Sequence, residues 1–371
     1  MYILTSFFIF TYWMILLLLL YCFLGYPLLL GALGIFKRKS KQERLEYLPK
    51  VSLVILAGND SKTIAAKLDN TALFEYPKEK LEIIVATINS TDGTRKIVED
   101  YFAKGVKLLY QAEKNGRNAA LNSCVAEAEG EVIVITDAAS VIERYSIKNI
   151  VRHFAAAGVG LVAGNIDYTK SNDKFALGEK FFLEHNRVVL SSSSKLKKIS
   201  RVNPELYALR KSYFCELKDD GILDSTSVPV MYSALGKSCI FEPLALATKA
   251  PVSGSNFYMT GKVDSTVASL RELRYVKELF LSREYLLLLH LVSNNLLQSA
   301  YGVLLLLLFL VNLLILVKLG YVVLLSLQFL FYVAGLLQLF GYFPYYMVFT
   351  SYAHVAGLLK FLKRKEKNAK N

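Results

Sequence analysis

The chain has 371 residues, of which 54% are hydrophobic and 20% charged, with a formal net charge of +13. Its mean hydropathy of +0.36 is too high for an ordinary soluble protein and too low for one that lies wholly in a membrane, so a soluble domain attached to membrane helices is predicted. The four cysteines form no CxxC pair, which argues against a zinc site or a disulfide framework.

Much of the positive charge lies in two clusters, at residues 37–44 and 360–370, and both clusters border apolar segments. Basic residues beside membrane spans usually face the cytoplasm and anionic lipid. Membrane lipid is therefore the expected partner of this charge, and nucleic acid is not.

The first apolar segment carries no charged residue from Ile3 to Phe36, which exceeds the roughly 20 residues that cross a bilayer. It lacks the basic start and the short apolar core of a cleavable signal. Residues 1–36 are predicted to be an N-terminal transmembrane helix. The basic cluster after this helix places the domain at residues 37–277 in the cytoplasm.

Between residues 48 and 277, short apolar runs alternate with amphipathic segments. Strands are predicted at 51–56, 81–86, 106–110 and 132–136, and helices at 62–73, 94–104 and 117–129. Such alternation predicts an α/β domain with a mostly parallel sheet covered by helices on both faces. Ligands of such sheets bind at the carboxyl ends of the strands.

The apolar character returns after Arg283 and continues to Leu362. Residues 278–299 mix leucines with polar side chains and are predicted to form an interfacial amphipathic helix. Residues 300–362 predict about three transmembrane helices, at 300–317, 321–340 and 343–362, and a basic tail follows at 363–371. One span before the domain and three after it would put that tail outside, against the charge rule. Either residues 285–298 help to form another crossing or the rule is broken here, so the side of the tail stays open.

A series of short motifs extends along nearly the whole chain. They are Gly25-Tyr26-Pro27-Leu28-Leu29, Lys67-Leu68-Asp69-Asn70, Tyr76-Pro77-Lys78, Ser90-Thr91-Asp92-Gly93-Thr94, Gly116-Arg117-Asn118-Ala119-Ala120-Leu121-Asn122, Thr136-Asp137-Ala138, Leu206-Tyr207-Ala208-Leu209-Arg210 and Phe241-Glu242-Pro243. In this order and spacing the chain resembles the membrane-anchored family 2 glycosyltransferases of the polysaccharide-synthase kind. The resemblance implies a GT-A fold, which is the Rossmann-like α/β domain of nucleotide-diphospho-sugar transferases, together with transmembrane helices.

The resemblance also implies a function. The chain is expected to transfer a sugar from a nucleotide-sugar donor to a glycan or lipid-linked acceptor in polysaccharide biosynthesis, as a multi-pass protein of the inner cell membrane. Such a transfer needs positive charge on the leaving diphosphate, from a divalent cation or from side chains. Inversion at the sugar also needs a carboxylate that takes the acceptor's proton.

On the nucleotide side, the resemblance implies that Asn59 and Asp60 meet the nucleotide after the first strand. The alternative is that they cap the next helix. Ile88 stands where the family has an aspartate that bonds the base, and Asp92 is predicted to cap a helix. Arg117, beside a helix N-terminus, is expected to bind a phosphate, with an ordinary surface arginine as the alternative.

Asp137 is expected to bind both the divalent cation and the diphosphate. The second ligand position of the family motif holds Ala139, so Mg²⁺ or Mn²⁺ is expected to bind weakly. Lys262 is the only cation in the element that carries arginines in the family, and it is expected to bind the donor's phosphates as a point charge.

The acceptor base belongs to an acidic pair, of which Asp224 occupies the first position and Ser225 the second. Serine has no useful basicity near neutral pH, so Asp224 is the candidate catalytic base. Asp219 and Asp220 are substitutes within reach of a small loop shift, and a solvated loop is the alternative interpretation of all these acids.

Two functions stay open because Ile88, Ala139 and Ser225 replace groups that the chemistry uses. One is an active glycosyltransferase. The other is a catalytically silent relative that acts as an assembly or regulatory partner of an active synthase and its other subunits. A dehydrogenase is disfavoured because the loop after the first strand lacks the glycine fingerprint of dinucleotide sites. Donor turnover discriminates between the first two.

Overall fold

The computed structural model describes residues 2–35, 47–111, 116–169, 174–218, 223–250, 255–316, 319–337 and 342–370. Side chains are described within these ranges except at 110, 111, 174, 175, 255–258 and 364–370. The predicted basic cluster at residues 37–44 and the substitute acids Asp219 and Asp220 lie outside the described residues.

The domain is built on a mixed sheet of eight strands. These are β1 (Val51–Ala57), β2 (Leu81–Ile88), β3 (Val106–Gln111), β4 (Val132–Asp137), β5 (Ser140–Ile142), β6 (Val159–Tyr168), β7 (Tyr207–Arg210) and β8 (Ser238–Lys249), in the order β3-β2-β1-β4-β7-β6-β8-β5. The four predicted strands are β1 to β4, and they run parallel to one another. β7 is antiparallel to both of its neighbours.

Helices cover the sheet and extend the domain towards the membrane segments. They are α3 (Ile64–Thr71), α4 (Thr94–Glu99), α5 (Arg117–Glu127), α6 (Ser146–Val151), α7 (Lys174–Lys195), α8 (Asp224–Ala234), α9 (Ser255–Arg271) and α10 (Leu273–Leu281). Every residue of β1 is buried, and one apolar cluster lies on each face of the strand. A strand buried on both faces reads as a continuous apolar run, which is why the sequence predicts it well.

The N-terminal segment is helical from α1 (Tyr2–Leu20) through a π-helical turn at Tyr21–Gly25 to α2 (Tyr26–Ile35). The C-terminal segment contains α11 (Tyr285–His290), a π-helical stretch at Leu291–Leu297, α12 (Gln298–Leu313), α13 (Leu319–Leu336) and α14 (Tyr342–Lys370). Three helical stretches of the described chain are long and apolar enough to cross a membrane, at Ile3–Ile35, Tyr285–Leu313 and Leu319–Leu336.

The structure differs from the prediction at residues 278–299. The chain from Tyr285 to Leu313 is one continuous helix, where the sequence predicts a separate interfacial helix and then a span. Its polar side chains bond to other parts of the protein: the His290 ring to the Tyr26 hydroxyl at 2.6 Å, and Asn295 Nδ2 to Glu272 Oε2 at 2.9 Å. These bonds explain how polar residues are tolerated in an apolar helix.

The domain and the membrane segment meet where α7 and α9 pack on α14. A Cβ atom at Gly178 on α7 would collide with the side chain of Tyr346 on α14, so the two helices approach closely there. Lys262 on α9 donates to Glu179 Oε1 on α7 at 2.9 Å. The interface is therefore both closely packed and ion-paired.

Candidate active site

The carboxyl ends of the central strands form one edge of the sheet. Asp137, the last residue of β4, is in register with Leu56 near the end of β1, and Ala57 of β1 is in register with Thr87 of β2. The loops after β1 and β2 therefore begin beside Asp137, at the edge where ligands of parallel sheets bind.

Arg117 brings two of the predicted site residues together. It is the first residue of α5, and its Nη1 donates to Asp137 Oδ1 at 2.7 Å while its Nε donates to Asp224 Oδ1 at 2.8 Å. Arg117 is thus not an ordinary surface arginine. It bridges the carboxylate at the end of β4 to the carboxylate that begins α8. We call Arg117, Asp137 and Asp224 the charged triad.

Within the triad, Asp224 is enclosed. Asp224 is 1% exposed, and its second oxygen, Oδ2, accepts a hydrogen bond of 2.6 Å from the hydroxyl of Tyr207. Burial and the Asp224 carboxylate raise the pKa of Tyr207, so this hydroxyl stays protonated and donates. Burial acts to lower the pKa of Arg117, but Asp224 and Asp137 raise it well above its usual value. The arginine therefore stays charged.

The loops after β1 and β2 use their polar side chains differently. Asn59 Oδ1 accepts from the Thr91 amide at 2.8 Å, and so joins the two loops. Asp60 Oδ2 accepts from the Gly58 amide at 2.7 Å, within its own loop. These hydrogen bonds hold the loops together. That Asn59 and Asp60 contact the nucleotide stays a prediction.

Asp92 has the capping role that the sequence predicts. Its Oδ1 accepts from the amide of Thr94, the first residue of α4, at 3.1 Å and from the Thr94 hydroxyl at 2.6 Å. Its Oδ2 accepts from the Ser61 amide at 3.0 Å. These bonds lower the pKa of Asp92, and the bond from the Thr94 hydroxyl contributes most to the shift. The carboxylate is therefore charged at neutral pH.

The three replaced positions have ordinary structural surroundings. Ile88 at the end of β2 packs against the apolar cluster on one face of the sheet. Ala139 lies between β4 and β5, next to the triad in the chain. Ser225 is 4% exposed, and its carbonyl accepts from the Val202 amide at 2.8 Å. None of the three side chains supplies a carboxylate here.

Lys262, assigned to the donor phosphates by the sequence, ion-pairs with Glu179 at the junction with α14. Its ammonium also lies 6.0 Å from the ring centre of Tyr346. Although burial acts to lower its pKa, Tyr346 and Glu179 raise it. The structure therefore places Lys262 where α7 and α9 pack against α14.

Lys67 is a buried cation that the sequence analysis missed. It is 1% exposed on α3, and its Nζ donates to Thr136 Oγ1 at 2.7 Å and to the Ser140 carbonyl at 2.8 Å. Burial lowers the pKa of this lysine to about 7. A signal existed in the sequence, because Lys67 is three residues after the apolar Ile64 and so lies on the core face of the helix.

Glu205 and Lys249 were missed as well. Glu205 Oε1 lies 3.2 Å from Lys249 Nζ, and the Glu205 carbonyl accepts from Thr136 Oγ1 at 2.7 Å, one residue before Asp137. Burial and the charge of Asp137 raise the pKa of Glu205, while Lys249 acts to lower it. Neither residue stands in a motif, so only the fold brings them to the triad.

Among the described residues, few side chains are placed to bind a divalent cation. Within the ranges that the structure describes, no group of three or more His, Cys, Asp or Glu side chains is arranged to hold a metal. Asp137 is partly exposed, and one of its oxygens is bonded to Arg117. Mg²⁺ and Mn²⁺ take one or two carboxylates together with waters and substrate phosphates, so Asp137 fits a cation that the donor's diphosphate helps to hold.

Comparison with known proteins identifies the domain. Residues 52–215 match the family model described as glycosyl transferase family 2. These residues form a family 2 glycosyltransferase domain. This chain is 36% identical over 115 residues, which are 30% of its length, to the probable glycosyltransferase YdaM of Bacillus subtilis. It is 29% identical over 148 residues, 38% of this chain, to a β-monoglucosyldiacylglycerol synthase of Nostoc sp..

These matches span 27% of the first curated relative and 32% of the second, so much of each relative lies outside them. Among solved structures, the mannosyltransferase PcManGT of Pyrobaculum calidifontis, in complex with GDP-Man and Mn²⁺, superposes with a TM-score of 0.73 at 21% identity. The superposition covers 94% of this chain and 98% of that chain. The predicted GT-A fold is confirmed.

Proposed function

We propose that this protein transfers a sugar from a nucleotide-diphosphate donor to a hydroxyl of a membrane lipid or lipid-linked glycan. The observation that carries the proposal is the charged triad at the carboxyl edge of the sheet, where Arg117 contacts Asp137 at 2.7 Å. A guanidinium has five N–H donors, so Arg117 keeps donors for a phosphate after bonding both carboxylates.

The donor's diphosphate is the group that this edge suits. Arg117 stands at the N-terminus of α5, where backbone amides and the helix dipole also favour an anion. Asn59 and Asp60 shape the neighbouring loop on the nucleotide side. Asp224 holds the guanidinium in place, and Tyr207 holds Asp224. This orienting role accounts for the burial of Asp224.

The transfer itself breaks one bond and forms one. The acceptor oxygen attacks the anomeric carbon, the bond from that carbon to the donor phosphate breaks, and its electron pair leaves with the nucleoside diphosphate. Arg117 stabilises the charge that develops on the leaving phosphate. A divalent cation held by Asp137 and the diphosphate would supply further positive charge at the same place.

Two observations support attachment of the protein to a membrane. Three helical stretches of the described chain are long and apolar enough to span a bilayer, and α7 and α9 pack the domain against α14. One relative is named as a synthase of β-monoglucosyldiacylglycerol, whose acceptor is a lipid. With the basic residues 37–44 after the first span, these observations lead us to propose a multi-pass protein of the inner cell membrane with its domain in the cytoplasm.

The test is sugar transfer by the purified full-length protein in lipid vesicles. Radiolabelled UDP-glucose, UDP-N-acetylglucosamine and GDP-mannose are supplied with Mn²⁺, and labelled lipid is counted. We expect one donor to label lipid and Arg117→Lys to reduce that labelling, since lysine lacks the fork geometry. Absence of labelled lipid and of donor hydrolysis with all three donors would contradict the proposal.

A second function is favoured by the same triad. Arg117 occupies Asp137, Ala139 supplies no second carboxylate, and Ser225 supplies no base. A silent relative that assists an active synthase would show these features. It would turn over no donor, and the double variant Ala139→Asp and Ser225→Asp would restore donor turnover to it. Measurable turnover by the parent protein excludes this function.

A further inference from the structure

Glu205 is a buried carboxylate close to the end of β4. Its backbone is tied to the end of β4, because its carbonyl accepts from Thr136 Oγ1 at 2.7 Å. Its carboxylate pairs with Lys249 at the end of β8, and the charge of Asp137 acts on both Glu205 and Lys249. The Glu205 carboxylate therefore belongs to the same electrostatic site as the donor-side carboxylate.

Polar groups continue from Glu205 towards the membrane. The charge of Glu205 acts on Tyr168 at the end of β6, and Tyr168 is hydrogen bonded to Glu179. Glu179 in turn pairs with Lys262, beside Tyr346 of α14. These pairs connect the surroundings of Asp137 to α14 through polar side chains.

We propose that Glu205 is the catalytic base of the transfer, the carboxylate that removes the proton from the acceptor hydroxyl. This assignment rests on the proposed function and deepens it, because a base is required only by an acceptor that attacks through a hydroxyl. The sequence had offered Asp224 for this role.

Asp224 is less suited to the role than Glu205. Both oxygens of Asp224 are bonded, to Arg117 and to Tyr207, and its side chain is 1% exposed. The side chain of Glu205 is 11% exposed and pairs with a single lysine at the longer distance of 3.2 Å. A base needs an oxygen that reaches the substrate's hydroxyl at hydrogen-bond distance, and the Glu205 side chain is more exposed than that of Asp224.

The electrostatics of Glu205 also suit proton transfer. Burial and Asp137 raise its pKa above that of an ordinary glutamate. A base is most effective when its pKa lies near the working pH. Lys249 acts against the rise.

The proton balance is simple. As the acceptor oxygen bonds to the anomeric carbon, its proton moves to a Glu205 oxygen, and the leaving electron pair stays on the donor's phosphate. Product release exposes Glu205 to water, which takes the proton away. No oxidant, reductant or further reactant is needed.

The experiment compares two acceptors in the vesicle assay, diacylglycerol, which has a hydroxyl, and polyprenyl phosphate, which is already anionic. Glu205→Gln is expected to lower kcat with diacylglycerol by about 10²–10⁴, with Glu205→Asp intermediate and the donor KM little changed. With polyprenyl phosphate the same change is expected to cost less than about tenfold, because no proton has to be removed. The matched control is Glu284→Gln, since Glu284 pairs with Lys198 at 2.8 Å outside the site.

The outcomes separate the two proposals. A parent that labels neither acceptor and hydrolyses no donor overturns the proposed function, and Glu205 as base with it. An active parent whose Glu205→Gln variant keeps kcat with diacylglycerol within about threefold overturns the base alone. If Glu205→Gln fails to fold, Lys249→Met decides: it should move the acidic limb of the kcat profile to higher pH, and an unmoved limb overturns the assignment.

Discussion

Two parts of the same sheet edge use their polar residues in opposite ways. After β1 and β2, Asn59, Asp60 and Asp92 accept hydrogen bonds from backbone amides and so hold loops together. Around the end of β4, Asp137, Asp224 and Glu205 are paired with cations instead. A carboxylate bonded to amides is part of the scaffold, whereas clustered charges at a sheet edge are typical of a site that handles charged substrates.

The largest effect is expected at the triad. Arg117→Ala leaves the buried Asp224 carboxylate without its cation, which should lower the free energy of unfolding by about 3 kcal/mol. Thermal or urea unfolding of the solubilised protein measures it. The control is Arg95→Ala, which removes an exposed pair with Glu99 on α4 and should cost about 0.5 kcal/mol or less. Equal effects of the two changes would deny that the triad differs from the surface.

A smaller effect, with a pH signature, is expected at Lys67. The folded protein holds the Lys67 proton only up to about pH 7, whereas the unfolded chain holds it up to the ordinary lysine pKa of 10.5. Folding therefore releases a proton between these values, so Lys67 makes the free energy of unfolding rise with pH, by at most about 1.4 kcal/mol per unit. Lys67→Met should remove this part of the slope when stability is measured at about pH 7.5 and about pH 8.5. Equal slopes in parent and variant would show that Lys67 stays charged.

The smallest effect is expected in the amide-bonded loops. Asn59→Ala removes one exposed hydrogen bond to the Thr91 amide and should lower stability by about 0.5–1 kcal/mol. Unfolding of the parent and the variant under one condition measures it. A loss as large as that of Arg117→Ala would end the distinction between the two parts of the edge.

The sequence predicts β1 to β4 because each strand is an apolar run followed by an amphipathic helix. It also singles out Arg117, Asp137 and Asp224 as candidate site residues, although 107 positions separate Arg117 from Asp224 and only the fold shows that they touch. Glu205 and Lys249 lie outside any motif. Glu205 precedes β7 and Lys249 ends β8, so their pairing depends on how the sheet is assembled. Long-range contacts of this kind leave no local pattern.

The helix from Tyr285 to Leu313 shows a second limit of local patterns. His290 and Asn295 make the segment look interfacial, because their partners, Tyr26 and Glu272, are distant in the chain. With those partners supplied, the same polar residues join a continuous apolar helix to the domain. Local polarity cannot distinguish a side chain that meets lipid headgroups from one that meets another helix.

We expect the nucleotide donor to be held at the charged triad, by Asp137 and Arg117, and not by the amide-bonded loops after β1 and β2. The most direct measurement is the Kd of GDP and of UDP, with Mn²⁺, for the parent, Asp137→Ala and Asp60→Ala. We predict that Asp137→Ala weakens the nucleotide that binds by about tenfold or more, and that Asp60→Ala weakens it by less than about threefold. Binding that is unchanged in Asp137→Ala but lost in Asp60→Ala would contradict this account.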